Sequence, residues 1–325
     1  MQTTLTLREL YRPIEKDMEA VRSAISDLWA DAMRIVYGDR SPKMPAGGKM
    51  LRPAMTLLSA GAIGAPDTSR FVRLANAMEL LHLAALAHDD VIDDANLRHG
   101  VRSLNALWDN HTAVLGGDYL VARAIEIMGT YDSCLVITNA IRSVREMSEG
   151  ELSNFGLGHD HFSQEACISL ARQKTASLFA VACSTPACLI DGAPRPELHN
   201  YGLNVGVAFQ LVDDLLDLTR DEEALGKPAF GDLVEGKKTL PILFLRESLD
   251  ASDCDRLDGL KGHPVSDADR AWVSEAIDSS GARERTEAIA REYLDEARAA
   301  LAGLPISPYR ESLLGITEFV LVRGA

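Results

Sequence analysis

The chain has 325 residues, 46% of them hydrophobic, so it is long enough to bury a large core. Its formal net charge of −15 at pH 7 disfavours nucleic acid and anionic membranes as partners, and any anionic substrate must therefore be held by local basic groups and metal ions. The five cysteines lack metal-ligand spacing and the N-terminus has no uninterrupted apolar stretch, so we expect reduced thiols, a cytoplasmic location, no signal peptide and no transmembrane segment.

The hydrophobic pattern predicts one helix after another. A period of 3.6 residues marks a first helix over residues 5–36, mildly interrupted at Pro13, and a second over residues 51–61. Ser163 is a predicted cap of the sixth helix, which ends near residue 190. Other helices are predicted within 71–100, at 110–129 and 132–155, after the turn at 191–197, from Pro241, and two or three times more before the C-terminus. No alternating apolar run with hairpin turns occurs, so we predict an all-α fold with one domain over residues 1–325.

A first acidic cluster ends the Ala- and Leu-rich helix of residues 71–100. Asp89 is followed by Asp93 at a spacing of four residues, and Asp90 is followed by Asp94 in the same way. Like charges at this spacing each cost a few tenths of a kcal/mol, and negative charge at a helix C-terminus also opposes the helix dipole. A divalent cation reverses this cost, because hard oxygen ligands on adjacent turns suit Mg²⁺ held partly by a substrate's phosphates. The alternative is a solvated acidic helix end.

A second acidic cluster also follows an apolar helical run. Asp213, Asp214 and Asp217 follow another apolar helical run, residues 203–212, which must be buried. Two such coincidences are hard to assign to solvation of the surface. We therefore predict two helices that face each other across a cavity, with several Mg²⁺ ions and a diphosphate between their carboxylates.

Basic residues lie at unexpected positions in so acidic a chain. In GGKMLRP, two glycines allow the backbone to approach a ligand, and Lys49 and Arg52 are predicted to share one helical face. A surface position explains any one of these cations, but together with the acidic clusters they indicate a site for multiply charged phosphates. The other basic residues of the set are Arg98, Lys174, Lys227 and Lys237.

Seven motifs occur in an order that resembles the trans-polyprenyl diphosphate synthases, the class I isoprenoid synthase family of farnesyl, geranylgeranyl and octaprenyl diphosphate synthases. They are GGKMLRP, LLHLAALAHDDVIDD followed by LRHG, GGDYL, EGEL, KTASLF, FQLVDDLLD and GKPAFGDLVEGKKTLP. The resemblance extends from Gly47 to about Arg323 and implies antiparallel helices around a deep central cavity, usually in a homodimer. It implies a prenyltransferase that joins isopentenyl diphosphate to an allylic diphosphate primer, with peripheral membrane contact for product release.

The resemblance also implies a role for each site residue. About three Mg²⁺ ions, with Mn²⁺ as an alternative, bind the allylic diphosphate through carboxylates, which are those of Asp89, Asp90, Asp93, Asp213, Asp214 and Asp217. The groups that contact this diphosphate or close the loop over it are Arg98, Lys174, Lys227, Lys237 and Asp232. The groups that hold isopentenyl diphosphate are Lys49, Arg52, His82 and Arg323. Thr175 and Gln210 stabilise the allylic cation with their oxygen dipoles, and the released pyrophosphate takes the final proton.

One departure from the family pattern concerns isopentenyl diphosphate. The family usually has Arg-Arg-Gly-x-Pro after its first acidic motif, whereas this chain has Arg98 and His99 followed by Gly-Val-Arg. Three explanations stay open. A protonated His99 binds the diphosphate, Arg102 replaces the missing arginine, or the site is weaker than usual.

Product length is predicted from the residues before Asp89. Ala84 and Ala85 are small, and in the family small residues here let the growing chain pass deeper, to a floor near Ile125 or Met128. We therefore expect products of six to eight isoprene units, C30–C40, as used for quinone side chains. The alternatives are a geranylgeranyl diphosphate synthase, a terpene cyclase and a partner subunit of a heteromeric synthase. Lys49, Arg52 and His82 argue against the cyclase, and the two intact acidic clusters argue against the subunit.

Overall fold

The computed structural model describes residues 6–38, 48–93, 97–98, 101–102, 106, 109–156, 162–219 and 229–322, with the backbone alone at 36–37, 97–98, 101–102 and 154–156. The α-helices of this part are α1 (Leu7–Leu10), α2 (Glu15–Tyr37), α3 (Leu51–Ala62), α4 (Val72–Ile92), α5 (Asn110–Gly129), α6 (Cys134–Gly156), α7 (Gln164–Ala171), α8 (Ser177–Ile190), α9 (Pro196–Asp217), α10 (Gly231–Val234), α11 (Leu240–Ser248), α12 (Ala251–Asp258), α13 (Asp267–Ser279), α14 (Ala282–Ala300) and α15 (Pro308–Val322). The all-α prediction is confirmed.

Local sequence signals set the helix starts. The Ser163 hydroxyl accepts a hydrogen bond of 3.2 Å from the Ala166 amide, so the predicted cap is confirmed. The Asp109 carboxylate caps α5 in the same way, at 2.7 Å from the Thr112 amide. Pro196 opens α9 at the first helical position, where a missing N–H costs nothing. Local chemistry thus marks the starts of α5, α7 and α9.

Four details differ from the sequence prediction. The first helix is interrupted by a 3₁₀ turn at Arg12–Ile14, because Pro13 has no amide hydrogen to continue the α-helical ladder. A short antiparallel pair of strands, β1 (Leu97–Arg98) and β2 (Val101–Arg102), lies where no strand was expected. The long sixth helix contains a π turn, Arg172–Ala176, between α7 and α8. Four helices follow α11 in the described part, rather than two or three.

One continuous hydrophobic cluster runs from Leu10 in α1 to Val320 in α15. Within it, α4 packs against α5, and α9 packs against both α8 and α14. None of the described helices is long and apolar enough to cross a bilayer.

The contact between α8 and α9 depends on glycine. A Cβ atom at Gly202 would lie 2.4 Å from the carbonyl oxygen of Phe179 in α8, and one at Gly206 would lie 2.5 Å from the Cα of Ala176, the π-turn residue just before α8. The two helix backbones therefore touch. This contact helps to position α9, whose C-terminal end carries the second acidic cluster.

We expect Gly202→Ala to destabilise the protein. The new methyl group overlaps backbone atoms that cannot rotate away, and such overpacking costs about 1–3 kcal/mol, although higher helix propensity returns up to about 1 kcal/mol. Thermal or urea unfolding measures the change. Gly303→Ala is the matched control, because no atom lies within 4 Å of a Cβ built there. Equal stability of the two variants would contradict the close contact.

Candidate active site

The two acidic clusters lie at the C-terminal ends of α4 and α9. Asp89 and Asp90 are in the last turn of α4, and Asp93 is its C-cap residue, with its amide donating 2.8 Å to the Asp89 carbonyl. Asp90 is only 2% exposed. Asp213, Asp214 and Asp217 end α9 in the same manner. Each cluster therefore places negative charge at the negative end of a helix dipole, a cost that a cation removes.

A small cavity of about 80 Å³ lies beside Asp214 of the second cluster. Its lining includes groups from the π turn, from α9 and from the segment after α10. The charged and polar members are Lys174, Gln210, Asp214, Asp232, Lys237, Lys238 and Thr239. Lys174, Gln210 and Lys237, which are far apart in the sequence, thus share one space.

Two lysines bridge carboxylates around this cavity. The Nζ atom of Lys237 lies 3.1 Å from Asp93 Oδ2 and 3.7 Å from Asp232 Oδ1, and it also pairs with Glu235. It therefore connects the end of α4 to the segment beside α9. The Nζ atom of Lys174 lies 2.6 Å from Glu151 Oε2 and 3.6 Å from Asp89 Oδ1.

The surrounding carboxylates keep both ammonium groups charged. Burial alone lowers the pKa of a lysine, but Asp89 and Glu151 outweigh it and raise the pKa of Lys174 above its ordinary value. Burial likewise opposes the charged form of Lys237, and Asp232 and Asp93 overcome it to raise that pKa further. In the metal-free protein, the two ammonium groups compensate part of the negative charge of the first cluster.

Thr175, Gln210 and Asp214 form a chain of hydrogen bonds. The Thr175 hydroxyl donates to Gln210 Oε1 at 2.5 Å, and Gln210 Nε2 donates to Asp214 Oδ1 at 2.6 Å. Burial raises the pKa of Asp214 well above its usual range, and nearby Asp232 raises it further, whereas Gln210 lowers it. The oxygen dipoles predicted to face an allylic cation are thus brought together, but in this structure they are engaged with each other.

Asp217 has a position that the sequence did not predict. It is fully buried, and its Oδ2 atom accepts a 3.0 Å hydrogen bond from the amide of Asp232 at the start of α10. Its carbonyl accepts another, of 2.9 Å, from the Phe230 amide. Asp217 therefore shapes the segment that carries Asp232 and Lys237. Its role as a metal ligand stays a prediction.

A second group of predicted residues lies between α3, α4 and α8. Arg52 is half-buried, with its guanidinium 4.3 Å from the centre of the Phe179 ring, and desolvation lowers its pKa to about 10, although Glu79 opposes this. Glu79 is 5% exposed, and burial raises its pKa to about 7 against the effect of Arg52. His82 lies one turn further along α4, half-buried.

The predicted shared helical face of Lys49 and Arg52 is wrong. Helix α3 begins at Leu51, and Met50 before it has a left-handed backbone with φ of 49°, so Lys49 stands outside the helix. Lys49 is exposed, and its carbonyl accepts a 2.7 Å hydrogen bond from the Tyr11 hydroxyl. The two cations therefore differ in environment, because Arg52 is half-buried against an aromatic ring and Lys49 is exposed.

Several predictions fall outside the described residues. Asp94, His99, Lys227 and Arg323 lie there, as do the side chains of Arg98 and Arg102. The roles proposed for them stay predictions.

Sequence reasoning missed Glu151, Glu235 and Cys167. Glu151 and Glu235 pair with Lys174 and Lys237, and Cys167 lines the cavity. The motifs EGEL and LVEGKK contained the two glutamates, but nothing in the sequence showed which lysine each would meet.

The carboxylates fit a hard cation that a substrate helps to hold. Within the described part of the chain, no three acidic, histidine or cysteine side chains converge closely enough to hold an ion by themselves. Mg²⁺ is usually bound by one or two carboxylates together with substrate phosphates rather than by a complete protein cage. The donor set, carboxylates at two helix ends with lysines between them, suits that arrangement.

Comparison with known proteins connects this geometry to a family. A family model described as polyprenyl synthetase matches residues 41–277. The all-trans-nonaprenyl-diphosphate synthase (geranyl-diphosphate specific) of Rhodobacter capsulatus is 32% identical over 97% of this chain and 98% of its own length. A short chain isoprenyl diphosphate synthase of Methanothermobacter thermautotrophicus is 34% identical over 94% of each chain. The polyprenyl synthase of Caulobacter crescentus, crystallised with calcium and isoprenyl diphosphate, superimposes with a TM-score of 0.89 at 35% identity, and all of both chains is covered.

Proposed function

Because the chain belongs to the polyprenyl synthetase family, we propose that it condenses isopentenyl diphosphate with an allylic diphosphate to form a medium or long all-trans polyprenyl diphosphate. The helices adopt the isoprenoid synthase fold. The single observation that supports this reaction best is that Lys174 and Lys237, which pair with Asp89 and Asp93 of the first cluster, also line one cavity with Asp214 of the second cluster. Few other chemistries need two carboxylate clusters and partly buried ammonium groups at the same place.

The proposed cofactor is Mg²⁺, about three ions, with Mn²⁺ as an alternative. When bound, these ions neutralise charge on the diphosphate that leaves the allylic substrate. Asp89, Asp90 and Asp93 would hold them from α4, and Asp213 and Asp214 from α9. A structural relative that binds calcium together with isoprenyl diphosphate supports a divalent ion at this place.

The protein's own groups carry the remaining steps. Lys174 and Lys237 exchange a carboxylate partner for diphosphate oxygens and stabilise the charge that builds there as the allylic bond breaks. Thr175 and Gln210 direct oxygen dipoles towards the cation. The isopentenyl double bond attacks C1 of that cation, and the released pyrophosphate takes the proton. Arg52, Lys49 and His82 hold the diphosphate of isopentenyl diphosphate, with Arg52 kept in place by the Phe179 ring.

The chain length of the product depends on the face of α4 that continues below Asp89. Ala85 is half-buried and lies one turn before Asp89, on the same side as His82, whereas Ala84 is 1% exposed and packs in the core. The tail therefore passes Ala85. Met128 of the proposed floor is fully buried and Ile125 is half-buried. The homodimer, the cytoplasmic location and peripheral membrane contact stay predictions.

The purified chain alone should extend allylic primers. Labelled isopentenyl diphosphate is incubated with each primer in turn and Mg²⁺, and the products are separated by chromatography. We expect chains of six to eight units with at least one primer. Cyclic hydrocarbon without uptake of label would indicate a terpene cyclase, and no product until a second protein is added would indicate a partner subunit.

A further inference from the structure

Helix α6 approaches the π turn unusually closely at Gly150. A Cβ atom there would lie 2.9 Å from the Cβ of Gln173 and 3.4 Å from the backbone nitrogen of Lys174. Two turns earlier in α6, the hydroxyl of Ser143 lies 3.4 Å from that of Ser177, the first residue of α8 after the π turn. The next residue after Gly150 is therefore held beside Lys174 by backbone packing rather than by a flexible surface contact.

That residue is Glu151, a carboxylate on neither of the two acidic helix ends. Its side chain is 13% exposed, and its Oε2 atom lies 2.6 Å from Lys174 Nζ. Asp89 Oδ1 lies a full ångström further from the same ammonium group, at 3.6 Å. Two carboxylates thus share one cation, and the nearer one is not a proposed metal ligand.

We propose that Glu151 is a positioning residue that holds the Lys174 ammonium away from Asp89, so that the Asp89 oxygens stay available to a metal–diphosphate complex. This inference rests on the proposed function. Without Glu151, the remaining carboxylate partner of Lys174 is Asp89, and the ammonium group moves into direct contact with the Asp89 oxygens. The ion and the lysine then compete for one carboxylate, instead of binding opposite sides of the diphosphate.

The test uses Glu151→Gln, which removes the charge and preserves the shape. Glu149→Gln is the matched control, because Glu149 lies on the same helix, is 49% exposed and pairs only weakly with Arg145, at 3.6 Å. Isothermal calorimetry measures inorganic pyrophosphate binding at fixed Mg²⁺, and kinetics give KM for each substrate. We expect about tenfold weaker pyrophosphate binding and a higher Mg²⁺ requirement in Glu151→Gln, the usual effect of losing a group that orients a ligand. The KM for isopentenyl diphosphate should stay unchanged.

A crystal structure of metal-free Glu151→Gln gives a readout that needs neither metal nor turnover. We expect Lys174 Nζ in direct contact with Asp89. If Nζ stays in place, or if pyrophosphate binds as in the wild-type protein or more tightly, Glu151 does not position Lys174. Equal weakening in Glu149→Gln would also overturn the inference, because the effect would be one of net charge.

If Glu151→Gln does not fold, Glu151→Asp is the second variant. It keeps the negative charge but places it farther from Lys174 Nζ, because the aspartate side chain is shorter. It should show an intermediate loss of pyrophosphate affinity, and wild-type affinity there would overturn the inference.

A failure of the proposed function has a different signature. In that case the wild-type protein itself would neither bind pyrophosphate in the presence of Mg²⁺ nor extend a primer. The position of Lys174 in the metal-free variant would still decide the role of Glu151.

Discussion

Asp89→Ala, and separately Asp213→Ala, should lower kcat by about a hundredfold or more, because each change removes a carboxylate that holds the cation opposing charge on the departing diphosphate. The fold should survive. In Asp89→Ala, Lys174 keeps its closer partner Glu151 at 2.6 Å, and the clusters lose a repulsive neighbour. Steady-state kinetics with Mg²⁺ and a thermal melt measure the two effects.

The control for these variants is Asp255→Ala, which removes one exposed carboxylate from α12, away from the site. It should keep normal turnover. Chelation of divalent ions with EDTA should abolish activity of the wild-type protein. Near-normal turnover of either site variant would show that the metal roles proposed for α4 and α9 are wrong.

Ala85→Phe should shift the products strongly towards shorter chains. One helical turn rises about 5.4 Å, close to the length of one extended isoprene unit, so a ring one turn below Asp89 meets the tail early. Chromatography of the extracted products measures the distribution. Ala85→Ser, which adds little volume, should leave the distribution unchanged.

Ala84→Phe should behave differently from Ala85→Phe. Because Ala84 is buried in the core, a ring there overpacks the helix contacts and costs about 1–3 kcal/mol of stability. Its main expected effect is a lower melting temperature. An unchanged product distribution in both variants would mean that the tail does not pass this face of α4.

Much of the fold followed from periodic and local signals. The range predicted for residues 110–129 matches α5, Ser163 caps the predicted helix, and both acidic clusters lie at helix ends. These features depend on neighbours in the sequence, which a single chain displays directly.

The contacts that complete the site could not be predicted in this way. The pairing of Lys174 with Glu151 requires a π turn and a glycine contact between two helices, and both arise from packing. The separation of Lys49 from Arg52 depends on the left-handed backbone of Met50, a conformation that a residue with a side chain rarely adopts. The hydrogen bond from the Asp232 amide to Asp217 joins residues 15 positions apart, so the residues next to Asp217 in the sequence gave no sign of it.

The glycine contact between α8 and α9 also restricts where a growing hydrocarbon can go. At Gly202 and Gly206 the two backbones leave no room even for a methyl group, so an isoprene unit cannot thread that seam. The contact adjoins the site, because Ala176, which Gly206 meets, follows Thr175, and Gln210 lies one turn after Gly206. A lengthening product is thereby excluded from one side of the molecule without any bulky residue acting as a stop.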